Sequence, residues 1–199
     1  MVCNLQHRNP KPAISQPETR NTATRNMILT KRLLLRPWRK TDLTVMAEIN
    51  AHADVMRYFP STQTEEQTAG FISRQMAQQA ERGYCYFAAE TRNDGRLIGF
   101  IGISHQAYKA PFTPCIDIGW RLHPDAWRKG YATEGAQACL DFAFNELGLE
   151  EVISLAVAQN TPSFGVMEKI GMQRVGSFRH PALADTPEIE ECVWYRVGK

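Results

Sequence analysis

Apolar and polar positions along the chain change period several times, and each change marks an element. Residues 28–36, with Leu33, Leu34 and Leu35 at their centre, read as a strand that Pro37 closes. Thr41 and Asp42 are capping types at the head of a helix running to about residue 52. A second helix spans about 64–82, with Ala69, Ile72, Met76 and Ala80 at helical spacing on one face and Gly83 as its stop. Residues 84–91 and 96–105 alternate as strands around Asn93-Asp94-Gly95, a tight-hairpin signal that predicts antiparallel pairing. Prolines 111 and 114 mark a looser connection to a strand over 115–122. A helix over 130–147 gathers Ala132, Ala136, Leu140, Ala143, Phe144 and Leu147 on one side. A buried-type strand at 151–158, a short helix at 161–170 and closing strands at 172–179 and 190–197 complete the pattern. The order describes one α/β (α+β) domain, with about seven strands in a mostly antiparallel mixed sheet and about four helices. No internal repeat and no second domain are visible.

Residues 1–26 stand outside this pattern. They hold prolines 10, 12 and 17, no periodic apolar positions, and four basic residues against Glu18. Such a segment cannot bury enough surface to offset its ordering entropy, so it is expected to be a flexible tail ahead of a domain at 27–199. Met27 looks like a natural beginning, which leaves a start-site choice or a vector remnant as readings of the tail. The tail's three surplus positive charges exceed the chain's net charge of +2, so the remainder is nearly neutral. That argues against nucleic acid as a partner, which would want a basic face. No apolar run approaches a membrane span, and 1–26 lacks the apolar centre of a secretory signal. Five cysteines, at 3, 85, 115, 139 and 192, show no metal-type spacing and read as reduced thiols in a cytoplasmic protein.

The chemistry concentrates in two turns. Trp127-Arg128-Lys129-Gly130-Tyr131-Ala132-Thr133-Glu134 places a basic turn poor in side chains directly ahead of a helix. Gly130 and Ala132 allow close backbone approach, and the first N–H groups of the helix lack partners of their own, so the turn suits phosphate. A Walker loop would need a second upstream glycine and a Lys-Ser/Thr pair where Tyr131-Ala132 stand. A dinucleotide fingerprint fails as well, for want of Gly-x-Gly-x-x-Gly in a parallel βαβ unit. About thirty residues on, Asn160-Thr161-Pro162-Ser163 opens a second short helix that continues to Val166-Met167-Glu168-Lys169-Ile170-Gly171-Met172.

In order and spacing these two motifs resemble the GNAT superfamily of acyl-CoA N-acyltransferases, over roughly residues 28–197. Thr30-Lys31-Arg32-Leu33-Leu34-Leu35-Arg36-Pro37 and Asp117-Ile118-Gly119-Trp120 are similar to the RimJ/RimL-like branch of ribosomal-protein-alanine N-acetyltransferases. The resemblance implies splayed central strands and a site for acetyl-CoA, with no metal. Backbone amides of Arg128, Lys129, Gly130, Tyr131, Ala132 and Thr133 would hold the pyrophosphate, with the Arg128 and Lys129 side chains adding charge or merely facing solvent. The strand 116–122 would pair with the pantetheine arm, and N–H groups near Arg121, Leu122 and His123 would polarise the thioester carbonyl. Trp127 replaces the Gln or Arg common in the wider family and either borders the entrance or packs as an apolar ring.

Amine attack on a thioester needs the amine deprotonated. Asp117 interrupts an apolar strand and is the first candidate base, through water, against the ordinary reading of an outward-facing carboxylate. Glu90 and His105 are lesser candidates at strand ends. Other branches protonate the leaving thiolate with a tyrosine where Met167 stands here; Ser163 is the remaining donor, or else a helix-start residue. Asn160 suits pantetheine contacts and also suits an N-cap. The expected partners are acetyl-CoA and an amine acceptor, with homodimerisation open and neither nucleic acid nor membrane involved. The acceptor side is expected along the first two helices and loop 106–114, with Tyr58, Phe59, Tyr108, Lys109 and Phe112. The expected activity is acetyl transfer to a primary amine by direct attack, since no cysteine in either motif suggests an acyl-enzyme. The alternative is a CoA-binding sensor or scaffold on the same fold.

Overall fold

The computed structural model describes residues 27–199; the tail over 1–26 lies outside the described residues. The stretch predicted as one strand over 28–36 is two. β1 (Ile28–Leu29) and β2 (Leu33–Arg36) run antiparallel, with Ile28 opposite Leu35. A turn at 30–32 divides them, because the Thr30 hydroxyl accepts the Leu33 N–H at 2.8 Å and the Thr30 N–H returns to the Leu33 carbonyl at 2.9 Å. The first helix also divides. α1 (Leu43–Ala51) stops at His52, whose backbone is extended and whose imidazole accepts the Asp54 N–H, starting the one-turn α2 (Ala53–Met56). These two interruptions bring the described residues to eight strands and five α-helices, one of each beyond the sequence reading.

α3 (Glu65–Arg82) begins with a reciprocal cap between Thr64 and Gln67 and ends, at the stop the sequence suggested, on Gly83 in the left-handed conformation. Its buried face differs from the predicted one. Thr68, Ile72 and Gln75 are buried, whereas Met76 and Ala80 are exposed. Hydrogen bonds to the sheet explain the rotation: Gln75 accepts the Tyr86 N–H at 3.0 Å, and Gln78 accepts from the Ser104 hydroxyl at 2.9 Å. Apolar spacing alone could not reveal polar groups that cross-link helix to strand.

β3 (Tyr86–Thr91), β4 (Leu97–Gln106) and β5 (Cys115–Leu122) continue the antiparallel meander from β2. α4 (Tyr131–Asn145) crosses one face and leads to β6 (Glu151–Val157). α5 (Thr161–Lys169), β7 (Gln173–Arg179) and β8 (Glu191–Gly198) follow, and the sheet order is β1-β2-β3-β4-β5-β6-β8-β7. Phe87, Ile101, Ile103, Ile118 and Leu140 are fully buried at its centre. α4 sits close because Gly135 has no side chain; a Cβ there would lie 2.5 Å from Ile101 Cδ1.

The decisive irregularity is between β5 and β6. They run parallel and share one register pair, Asp117 with Ile153, whereas β4 and β5 pair along eight residues. Beyond that pair, toward Leu122, the strands diverge and the sheet opens. One further link, from the Ser154 hydroxyl to the Ile118 carbonyl at 3.0 Å, keeps the two halves joined.

Candidate active site

The opening between β5 and β6 leads into a cavity of about 970 Å³ that carries residues of both sequence motifs on its wall. At one end lies the turn before α4. Arg128 has φ 58° and Gly130 φ 80°, so the chain enters α4 through the left-handed region, with no side chain capping the helix. The first bond of the helix is Glu134 N–H to the Gly130 carbonyl, which leaves the N–H groups of Tyr131, Ala132 and Thr133 with no carbonyl of their own helix to bond. Arg128, Gly130, Tyr131, Ala132 and Thr133 border the cavity; Lys129 does not. Its carbonyl instead accepts from Arg32 at 2.8 Å, and the Arg32 guanidinium lies 4.6 Å over the Tyr131 ring.

Glu134 fastens this turn to the start of the domain. It accepts the Arg32 N–H at 2.8 Å, the Thr30 hydroxyl at 2.7 Å and Arg32 Nε at 2.6 Å. The predicted turn and the leucine-rich opening strand are thus one unit. Trp127 is 40% exposed on the cavity rim, with its indole N–H bonded to the Leu122 carbonyl at 2.8 Å.

The three backbone amides expected near the thioester separate. His123 N–H bonds to the Ile98 carbonyl at 2.8 Å, toward β4, so it is already used. Alternation along β5 turns the Arg121 N–H the same way and the Leu122 N–H toward the open β6 side. Leu122 is the one of the three that faces the opening, and the readings of His123 and Arg121 as amide donors are corrected accordingly.

Asp117 sits where the two strands still touch. It is 8% exposed, borders the cavity, and is not the outward-facing carboxylate of the ordinary reading. The Tyr86 hydroxyl donates to its carboxylate at 2.7 Å, and Gln106 Nε2 donates to Oδ1 at 3.0 Å. Burial pushes its carboxyl up to about 6, and the bonds from Tyr86 and Gln106 oppose that rise. Burial likewise holds the Tyr86 phenol well above its usual range, so Tyr86 is a donor here.

Asn160 caps α5, accepting the Ser163 N–H at 3.4 Å through its side-chain oxygen; among the described residues its amide NH2 has no partner. Both Asn160 and Ser163 border the cavity, as does the fully buried Met167. The lesser base candidates lie elsewhere. Glu90 accepts Arg36 Nε at 2.7 Å in an ion cluster with Asp42, and His105 is off the cavity wall, on the strand position paired with Ile116. Asp42 is occupied by that cluster rather than by capping α1.

On the acceptor side, Tyr58 and Phe59 border the cavity but Tyr108, Lys109 and Phe112 do not. Phe112 packs instead on Phe178 and Trp194, at 5.0 and 4.7 Å, which draws loop 106–114 over β7 and β8. Tyr86, Gln106 and the Arg121 side chain were not singled out in the sequence. Their nearest signal was Gly119 inside an apolar strand: a Cβ there would meet the Tyr86 ring at 3.3 Å. Among the described residues no group of His, Cys, Asp and Glu could hold a metal, and no helix is long and apolar enough to cross a membrane.

Comparison with known proteins agrees with this geometry. The family model described as an acetyltransferase (GNAT) domain matches residues 32–173. The uncharacterized N-acetyltransferase YnaD of Bacillus subtilis is 37% identical over 153 residues, covering 76% of this chain and 85% of its own. The spermidine N(1)-acetyltransferase of Escherichia coli is 25% identical over 149 residues, 73% of this chain and 75% of its own. A GNAT-family acetyltransferase of known structure from Bacillus anthracis superposes with a TM-score of 0.72 at 32% identity, over 86% of this chain and 98% of that one. A ribosomal-protein-S5-alanine acetyltransferase from Vibrio fischeri shares the fold at 15% identity, with a TM-score of 0.70 over 86% of this chain and 96% of that one. With the domain model, the relatives and the split-sheet architecture in agreement, the chain belongs to the GNAT family and is an acyl-CoA-dependent acetyltransferase.

Proposed function

We propose that this protein transfers an acetyl group from acetyl-CoA to a primary amine by direct attack in a ternary complex, with Asp117 accepting the amine proton. The observation that carries the proposal is the placement of Asp117. It borders the same cavity as the α4 turn, Asn160 and Ser163, at the one register pair before β5 and β6 part. Its carboxyl, pushed up to about 6, is ionised at neutral pH yet basic enough to take a proton.

The chain's own groups suit the cofactor's parts. The N–H groups of Tyr131, Ala132 and Thr133, with Arg128 beside them, match a pyrophosphate. The open edge of β5 offers backbone pairing to an extended amide chain, and Leu122 N–H is placed to donate to a carbonyl oxygen. Asn160 would orient that chain through its free NH2, and Ser163 would supply the proton to the departing sulfur. When the amine nitrogen bonds to the acetyl carbon, the carbon–sulfur bond breaks and the amine proton passes to Asp117.

One feature favours a second reading, a CoA-binding protein without turnover. Met167 fills the position where other branches carry a tyrosine, and it cannot donate a proton. Measuring free-thiol release from acetyl-CoA against peptides, amino acids, polyamines and aminoglycosides separates the two. Turnover with any amine, cut about 100-fold in Asp117→Asn, supports transfer; submicromolar acetyl-CoA binding with no thiol release across the panel supports the silent binder.

A further inference from the structure

Two arginines of this fold, Arg36 buried and Arg121 half-buried, are treated in opposite ways. Arg36 is 3% exposed and fully compensated: both oxygens of Asp42 meet its guanidinium at 2.8 Å, and Glu90 takes its Nε at 2.7 Å. Arg121 projects into the cavity with no such partner. Its Nη1 donates to the neutral Asn50 Oδ1 at 2.7 Å, its Nε is sealed from solvent with no acceptor, and among the described residues no carboxylate lies within 4 Å of it. Burial without an anion drops its pKa to about 10, so it remains charged at neutral pH. A cation shielded from water without a counter-charge is costly, and a bound anion would offset that cost.

The surroundings hold that charge in position without cancelling it. Asn50 is fully buried and its amide donates to Gln63 and Thr68, both at 3.0 Å, which fixes Oδ1 toward the guanidinium. The guanidinium carbon lies 4.4 Å from the Phe59 ring centre and 5.5 Å from that of Phe100. With its faces against rings, the planar group has its edge left for hydrogen bonding, and Nη2 has no partner among the described residues.

The cation is also on the wrong face of the sheet to serve the phosphate turn. Arg121 pairs with Phe100, whereas Ile101, which packs against α4 at Gly135, pairs with Trp120. Side chains of neighbouring strand residues point to opposite faces, so Arg121 faces away from α4. It shares its face with Gly119 and Asp117, four residues and roughly 13 Å along β5 at the Cα atoms. Gly119 makes room for the Tyr86 ring, which stacks on that of Phe100 at 5.1 Å, and both rings line the cavity between Arg121 and Asp117. The other charges on the acceptor side, Asp54 and Arg57, form an exposed pair with each other at 3.6 Å.

We propose that the acceptor is a small amine that also carries a carboxylate, and that Arg121 binds that carboxylate while the amine lies toward Asp117. The proposal rests on the acetyl-transfer reading for the role of Asp117. It names a substrate class, amino acids and their short ω-amino analogues, and disfavours polycations, which would meet Arg121 with like charge.

The test uses matched acceptors with the intact protein: leucine against leucinamide and isoamylamine, γ-aminobutyrate against butylamine, phosphoethanolamine against ethanolamine, and spermidine. The expected result is a kcat/KM at least about tenfold higher for the carboxylate member of a pair, the size of one charge-assisted bond. Arg121→Gln should reduce that preference to within about threefold through the acceptor KM, with calorimetric acetyl-CoA affinity kept, and Arg121→Lys should restore part of it. Preference for uncharged amines or spermidine in the parent protein overturns the proposal, as does an Arg121→Gln loss equal across all acceptors. Phosphoethanolamine outperforming every carboxylate reassigns the site to phosphate and overturns the carboxylate assignment. If acetyl-CoA binds but no amine turns over, the transfer reading fails separately. The anion site is then decided by melting of the CoA-bound protein: millimolar leucine or γ-aminobutyrate stabilising the parent but not Arg121→Gln upholds it, and no difference overturns it.

Discussion

A carboxyl nearly sealed from water, yet receiving hydrogen bonds from a phenol and an amide, is poised between two protonation states, and Asp117 is in that position. As a base it must be ionised, so kcat/KM should rise through about pH 6 and lose this dependence above it; a profile flat from pH 5 to 8 would count against Asp117. Tyr86→Phe removes a bond that stabilises the anion, so the acidic limb should move to higher pH, whereas a purely structural Tyr86 would lower the rate without moving it. Stability has the opposite sign. A carboxyl whose folded value lies above its unfolded one favours the fold when protonated, and that contribution is lost as pH rises from about 4 through about 6. Asp117→Asn should therefore cut kcat by about 100-fold while leaving the melting temperature at pH 8 unchanged or raised, by an amount worth up to about 3 kcal/mol. A marked fall in melting temperature would show that Asp117 is structural instead.

At the scale of elements, the turn before α4 is held from two directions. Its backbone needs the left-handed conformation at Gly130, where a Cβ would also approach Arg32 Nη2 at 3.3 Å. Gly130→Val should cost about 1–2 kcal/mol and weaken acetyl-CoA binding at least tenfold. Gly95→Val carries similar backbone strain, at φ 67° with nothing within 4 Å, and should cost stability without touching affinity. Equal affinity losses from the two would remove the special role of Gly130. The second hold is Glu134, which joins α4 to Thr30 and Arg32. Glu134→Ala should destabilise the protein by about 2 kcal/mol, read from denaturant unfolding, because the Arg32 and Thr30 donors lose a charged acceptor.

For the whole molecule, the sheet is two pieces meeting at Asp117 and Ile153, and the cavity occupies the gap. A ligand that pairs with the β5 edge bridges them. At 100 times its Kd acetyl-CoA should add about 2.7 kcal/mol of stability, seen as a raised melting temperature. It should also slow amide exchange at Leu122 more than at His123, whose N–H is already bonded within the sheet. Equal slowing at both would contradict edge pairing.

What the sequence determined by itself was whatever depends on neighbours a few residues apart. The stop at Gly83, the hairpin at Asn93-Asp94-Gly95, the turn at Gly130 and the cap at Asn160 are short-range, and the two motifs sufficed to name the family. The division of 28–36 and of the first helix was hidden, since it depends on single side-chain bonds from Thr30 and His52. Only the tertiary structure decided the chemistry of the acceptor side. Tyr86 reaches Asp117 across 31 positions and Asn50 reaches Arg121 across 71, so neither the raised carboxyl nor the uncompensated guanidinium has a local signature. Burial and pairing set the energies of both charges, and burial is a property of the fold rather than of any segment.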